Sequence, residues 1–200
     1  MIVYVESNFL LELAYQQEEH ESCEQLLGLA EANRIRLLLP AFCVVEARMS
    51  LVRQTRERAR FHDTLSQQIR ELSRSKPYSD VPVQTRGLIS ALIDSGEEER
   101  RRLDAALERI MASGHILATT EDVLRHAHDA ESRFGLTPQD SIVYASVTRD
   151  FDNHPGASKC FLNRNSKDFA DPDIYAELAA GKCKLLTSFS AGLGYITHAI

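Results

Sequence analysis

Four acidic residues, Glu6, Glu46, Asp140 and Asp168, stand where an α/β chain collects chemistry. Glu6 directly follows the apolar run Ile2-Val3-Tyr4-Val5, which is too short for a helix and fit for a buried parallel strand. Glu46 falls in the first turns of the helix after a second strand-like run, Ile35 to Leu39. Asp140 opens a helix whose inward stripe is Ile142, Val143, Ala145 and Ser146, and Asp168 lies in the loop after a run from Lys159 to Leu162. Open α/β sheets form their sites outside the carboxyl ends of the strands. Each acid alone has a structural use: Glu46 and Asp140 favour the positive end of a helix, and Glu6 can cap one. Gathered at one point they repel one another, and a multivalent cation makes the fully ionised cluster favourable. Carboxylate oxygens with room for waters suit Mg²⁺ or Mn²⁺. Such an ion lowers the pKa of a water and stabilises charge on a phosphate under attack.

The elements that must position these acids follow from hydrophobic period. Ser7 or Asn8 caps a helix carrying Phe9, Leu10, Leu13 and Ala14 at helical spacing, and a second helix runs from about Glu18 to Ala32. Pro40 stops the Ile35–Leu39 run and suits the first turn of a third helix. That helix extends to about Ser75, with Val45, Met49, Val52, Leu65, Ile69 and Leu72 as its inward stripe. After a break at residues 75–82, a fourth helical region covers about Val83 to Ser113. Asp94-Ser95-Gly96 predicts an interruption in it, and Leu103, Leu107, Ile110 and Met111 face inward. Helices over Thr120–Phe134 and Pro138–Arg149 follow, then a polar loop from Asp150 to Ser158. Strands at Lys159–Leu162 and Cys183–Leu186 are separated by a helix near Pro172–Ala180. The order β-α-α-β, a long helical stretch, then β-α-β predicts a parallel sheet covered by helices on both faces, with Ile2–Val5 at or near its centre. Residues 1–200 read as one domain with a helical elaboration over about 47–113.

Composition narrows the class. An apolar fraction of 44% with 26% charged residues belongs to a soluble globular protein. The opening has no basic segment of a signal peptide, and no stretch approaches the roughly 18 to 20 apolar residues of a membrane helix. Cys23, Cys43, Cys160 and Cys183 are scattered without a C-x-x-C pair, as expected of reduced thiols in a cytoplasmic protein. The net charge of −6 hides a basic run: residues 47–76 hold eight Lys/Arg against three acids. Within it Arg53, Arg56 and Arg60, spaced by three and four, share one helical face that can meet phosphates. Competing chemistries lack their residues. No Gly-rich phosphate loop or G-x-S-x-G elbow occurs. His126 and His128 are two apart on a helix and do not share a face, and Glu6-Ser7-Asn8 does not supply Asp-x-Asp.

Taken in order, four segments resemble the motifs of PIN-domain nucleases. Val3-Tyr4-Val5-Glu6-Ser7-Asn8-Phe9-Leu10-Leu11 is similar to the family's opening: strand, acid, hydroxyl residue, Asn, apolar helix. Leu39-Pro40-Ala41-Phe42-Cys43-Val44-Val45-Glu46-Ala47 resembles the second motif, and Leu136-Thr137-Pro138-Gln139-Asp140-Ser141-Ile142-Val143-Tyr144-Ala145 the third. Phe161-Leu162-Asn163-Arg164-Asn165-Ser166-Lys167-Asp168-Phe169 resembles the last, a strand and then a loop ending in Asp-Phe. The resemblance runs from Ile2 to Phe169. It implies a PIN-like three-layer α/β/α fold with a central parallel sheet and a helical insertion. It further implies metal-dependent hydrolysis of single-stranded RNA, as in bacterial toxin-type endoribonucleases. On this reading Glu6, Glu46, Asp140 and Asp168 are both the catalytic and the metal-binding residues, Asn8 and Asn165 support the site, and Arg53, Arg56 and Arg60 meet RNA. A homodimer and a small antitoxin protein are the implied partners.

The chain departs from the pattern at three places. Glu6 stands where Asp is usual and is one methylene longer. Asn163 replaces a common Thr, and Asn165 is neutral where some members carry Asp. Asp171 and Asp173 compete with Asp168 for the fourth place. Glu6 is the feature that favours the alternative reading, a PIN-like RNA-binding or scaffold module with impaired catalysis. A flap-type DNA nuclease shares the acids, but no helix-hairpin-helix segment is evident.

Overall fold

The computed structural model describes the chain from Met1 to Ile200 apart from residues 166–168 and 170 and the side chain of Gln84. Strands β1 (Ile2–Val5), β2 (Arg36–Pro40), β3 (His115–Leu117), β4 (Lys159–Leu162) and β5 (Cys183–Leu186) pair in parallel throughout, in the order β3-β2-β1-β4-β5. β1 and β4 are buried along their whole length and β2 everywhere but Arg36. Continuous apolar runs of this kind belong to strands covered on both faces. From β1 the chain moves outward through β2 to β3, then crosses back to place β4 on β1's other side. The strand order therefore reverses between β1 and β4, and the crevice outside their carboxyl ends is where such sheets bind ligands.

The helices are α1 (Ser7–Tyr15), α2 (His20–Glu31), α3 (Ala41–Ser73), α4 (Val81–Ser113), α5 (Glu121–Phe134), α6 (Pro138–Arg149), α7 (Pro172–Ala180) and α8 (Phe189–Ala199). α2 packs on α1, α8 and β2, and α8 on β4 and β5. α5 and α6 pack together with α6 against β2, and α7 lies on β5, which completes three α/β/α layers. Phe169 is almost fully buried; its ring meets Phe161 at 5.7 Å and Tyr144 at 6.3 Å. The aromatic that ends the fourth motif is thus a core anchor. Among the described residues no helix is long and apolar enough to cross a membrane.

The chain divides into two compact units, Met1–Ala47 with Leu103–Ile200, and Arg48–Arg102. In the second unit, two helical stretches run back along each other. The Arg58 guanidinium donates to both Glu99 carboxylate oxygens, at 2.7 and 2.8 Å, and to the Ser95 hydroxyl at 2.9 Å. A side chain at Gly96 would come within 3.3 Å of the Thr55 hydroxyl, so glycine fits a point of close helix approach.

That contact explains one correction: the interruption expected at Asp94-Ser95-Gly96 does not occur, and α4 is continuous. Tertiary packing overrides the weak local propensity of one glycine. The stripe read for α3 is also rotated. Val45, Met49, Val52 and Leu72 are exposed, while Cys43, Ala47 and Leu51 are buried; of the expected stripe, Ile69 is buried. Met111, expected inward, is exposed. Pro40 ends β2, opposite Leu117, and does not open α3. β3 and α8 were not anticipated: β3 has only three residues, begins with an exposed His and sits at the sheet edge.

Candidate active site

Glu6 sits where β1 ends, and its conformation follows from what the next helix needs. The first N–H groups of a helix lack partners within it. Glu6 is the extended N-cap of α1, and its Oε2 accepts from the Asn8 backbone N–H at 2.8 Å and from the Ser7 hydroxyl at 3.0 Å. The Asn8 side chain also favours the ionised carboxylate. Oε1 receives the Arg164 backbone N–H at 3.4 Å, from the segment just after β4. The cap is therefore the acid itself, one of the uses its position allowed, and not Ser7 or Asn8. Burial pushes the Glu6 carboxyl above its ordinary value, and the hydrogen bonds offset only part of that. Its described partners are all neutral donors.

Glu46 lies half-buried in the first turns of α3, three residues after Cys43 and therefore on the same helical face. Asp140 lies in the first turn of α6, where Thr137 caps the helix. The Asp140 N–H donates to the Thr137 hydroxyl at 3.2 Å, and that hydroxyl donates to the Asp140 carboxylate. The Cys43 thiol feels the charge of three of these acids. Burial raises its pKa well above the ordinary value, and the charges of Glu6, Glu46 and Asp140 raise it further, against the Ser7 N–H. Three of the four predicted acids thus lie within electrostatic reach of one buried thiol. Asp168 lies outside the described residues. Asn165 closes the loop after β4, its N–H donating to the buried Asn163 Oδ1 at 2.7 Å. Arg53, Arg56 and Arg60 are exposed in the second unit.

Among the described residues, no three Asp, Glu, His or Cys side chains stand close enough to hold a metal ion. The chemistry of the donor set nonetheless fits a hard divalent cation. These are oxygen ligands, and the buried Glu6 carboxylate has only neutral hydrogen-bond donors where a positive charge would relieve its desolvation.

Sequence reasoning missed a second group of charges beside Glu6. Glu12 is almost fully buried in α1 and forms an ion pair with the Arg164 guanidinium; its other oxygen accepts the Glu19 N–H at 3.0 Å. The Cys23 thiol, pushed up first by burial, is raised further by Glu12, Glu19 and Glu6 and lowered by Arg164, so this group adjoins the Glu6 carboxylate. The available signal was Glu12's position: three residues after Phe9 and beside Leu13, it falls on the apolar face of α1.

Glu19 reaches across to α8, accepting the Phe189 N–H at 2.9 Å, the Ser190 N–H at 3.3 Å and the Ser190 hydroxyl at 3.1 Å. Burial raises its pKa, but these hydrogen bonds outweigh it and hold the carboxyl below the usual range. A lowered folded pKa contributes stability above the unfolded value and loses it as pH falls through the folded one. Glu19→Ala is expected to cost about 1 to 2 kcal/mol at neutral pH. Thermal melts of the two proteins should converge below pH 4.5; a pH-independent gap would contradict the assignment.

None of the curated proteins compared matches this chain. The family model described as PIN domain matches residues 3–169, which takes in β1 to β4 and the segments carrying Glu6, Glu46, Asp140 and Asp168. PIN domains are generally nucleases and typically use divalent metals. With a parallel sheet whose strand order reverses beside Glu6 and a PIN-domain match over most of its length, this chain belongs to the PIN-domain family.

Proposed function

We propose that this PIN domain is a Mg²⁺- or Mn²⁺-dependent endoribonuclease that hydrolyses phosphodiester bonds of single-stranded RNA. The observation that carries the reading is that Glu6 follows β1, Glu46 lies in the first turns of the helix after β2 and Asp140 opens α6, all three within electrostatic reach of the buried Cys43. Asp168 is the proposed fourth acid. Asp171 suits the role less because it caps α7, accepting the Asp173 N–H at 2.8 Å.

Glu6, Glu46, Asp140 and Asp168 would hold the ion, which supplies Lewis acidity at the phosphoryl oxygens and lowers the pKa of water. Ser7 and Asn8 fix the Glu6 carboxylate by hydrogen bonds to Oε2. The Arg164 N–H at Oε1 ties it to the loop after β4. The attacking water loses a proton to one of the carboxylates, a P–O ester bond breaks, and the departing oxygen takes up a proton. The test is cleavage of a single-stranded RNA as a function of added metal, with loss of cleavage in EDTA.

Arg53, Arg56 and Arg60 are proposed to contact RNA phosphates. Their exposure supports this, as does the contrast with Arg58, which is spent on Glu99. Neutralising phosphates gives a log–log salt slope of about −0.7 per contact for single strands. The triple Ala variant is therefore expected to bind RNA more weakly and to flatten that slope by about 2. Equal binding and slope would make the face a solvated surface only.

We further propose a homodimer in the cytoplasm, a setting that goes with four free, buried cysteines. Sedimentation should give a mass near twice 22.5 kDa, and a monomer at micromolar concentration would remove the dimer. In a toxin role the partner is a small antitoxin protein, and a short reading frame beside the gene is the observation to seek.

A further inference from the structure

The unit formed by Met1–Ala47 and Leu103–Ile200 contains a second cavity, at the amino ends of the strands and so at the edge of the sheet away from Glu6. Its volume is about 810 Å³, within the range of small-molecule sites. It is bounded where β1, β2 and β3 begin and by Ala157 and Ser158 just before β4. Arg34, Arg36, His115 and Tyr195 are among its lining residues, and no Asp or Glu among the described residues lines it.

The charge arrangement there is unlike the rest of the unit. Arg109, Arg125, Arg133, Arg149 and Arg164 each form an ion pair with a carboxylate. Among the described residues, Arg34 and Arg36 form none, and both are exposed and line the same cavity. In a chain of net charge −6, two guanidiniums without an ion pair among the described residues, lining one cavity, are an unusual concentration of positive charge. Guanidinium groups match phosphate geometry by paired N–H donors and are weakly hydrated, so an anion bridging them gains more than it loses in water. The Lys184 ammonium, itself outside the lining, stands 4.3 Å from the centre of the Tyr195 ring. The ring itself is half-buried and supplies a flat apolar surface.

We propose that this cavity is a phosphate-ester subsite that takes a nucleotide, its phosphates held by Arg34 and Arg36 and its base set against Tyr195. Its residues are separate from the carboxylate site, so the subsite stands or falls independently of the nuclease reading. The shared chemistry admits two sources, a free nucleotide or a nucleotide within an RNA strand.

The experiment is calorimetric titration of the whole protein with ADP in EDTA, which removes any metal contribution. Saturable binding is expected. Arg34→Ala/Arg36→Ala should weaken it at least tenfold while leaving the melting temperature within a degree or two, since both side chains are exposed. Tyr195→Leu should weaken ADP yet spare inorganic pyrophosphate. Asp140→Asn should bind ADP as the wild type does. Displacement of ADP by a short single-stranded RNA identifies the strand as the source; no displacement identifies the free nucleotide, and both support the subsite. Absence of saturable binding, equal affinity in the double arginine variant, or loss of ADP binding in Asp140→Asn would overturn it.

Discussion

Asp140→Asn is expected to lower RNA cleavage by at least about a hundredfold, since changes one shell further from a metal already cost 10- to 100-fold. The substitution keeps shape and removes one charge. Because it leaves fewer negative charges around Cys43, the metal-free variant should be as stable as the wild type or more so. The metal response should separate them. An ion that binds only the folded state at a hundredfold excess over its dissociation constant stabilises by about 2.7 kcal/mol, and the variant should lose most of that gain. Parallel melts with and without Mn²⁺, beside single-turnover cleavage, check both parts. A variant that is inactive because it is unfolded, or active with an unchanged metal response, would remove Asp140 from the site. Glu6→Asp sharpens the comparison. A working Glu6, held by Ser7 and Asn8 at its present length, should lose activity when shortened. In a decayed scaffold the wild type would be inert and the shorter acid would restore some cleavage.

The second large effect is expected at Arg164. Its guanidinium is the described counter-charge of the almost fully buried Glu12, while its backbone N–H meets Glu6. Removing one partner of a buried pair leaves the other charged and unpaired, which costs about 3 to 5 kcal/mol. Arg164→Ala should fall near about 3 kcal/mol, the lower end, because Arg164 itself is partly open to solvent and water reaches the pair. Urea melts check the magnitude. Glu12→Gln in the Arg164→Ala background should recover much of the loss, since no charge then remains buried, and a double-mutant cycle isolates the pair. Additive losses would mean that Glu12 and Arg164 act separately. Where the double variant folds, weaker Mn²⁺ binding by it than by the wild type would show that the pair also positions Glu6.

Much of this architecture was legible because strand and helix announce themselves differently. Ile2–Val5 and Cys160–Leu162 are unbroken apolar runs, and only strands covered on both faces ask for that. Thr137-Pro138 and Thr120 mark the starts of α6 and α5 by capping, and Gly135, with φ of 66°, marks the end of α5. β3 carried no such signal, because an edge strand of three residues depends on its neighbour for definition. The α3 stripe misled because many of its apolar residues are exposed, so the hydrophobic period alone left its rotation undetermined.

The candidate site divides in the same way. Glu6, Glu46 and Asp140 could be proposed together because each sits at a fixed offset from a strand end or helix start. Glu12 and Arg164 could not be paired from the sequence. They lie on α1 and beyond β4, and only the adjacency of β1 and β4 joins them. The same adjacency aligns the Arg164 N–H with Glu6.

Cleavage of a fluorescent single-stranded RNA by the wild-type protein, measured across a Mn²⁺ titration that starts in EDTA, tests the central claim most directly. The expected result is no cleavage in EDTA, a saturable rise with Mn²⁺ and products cut within the strand. Cleavage that is equally fast in EDTA, or its absence at every Mn²⁺ and Mg²⁺ concentration in a folded protein, would contradict the assignment of Glu6, Glu46, Asp140 and Asp168 to a working metal-dependent site.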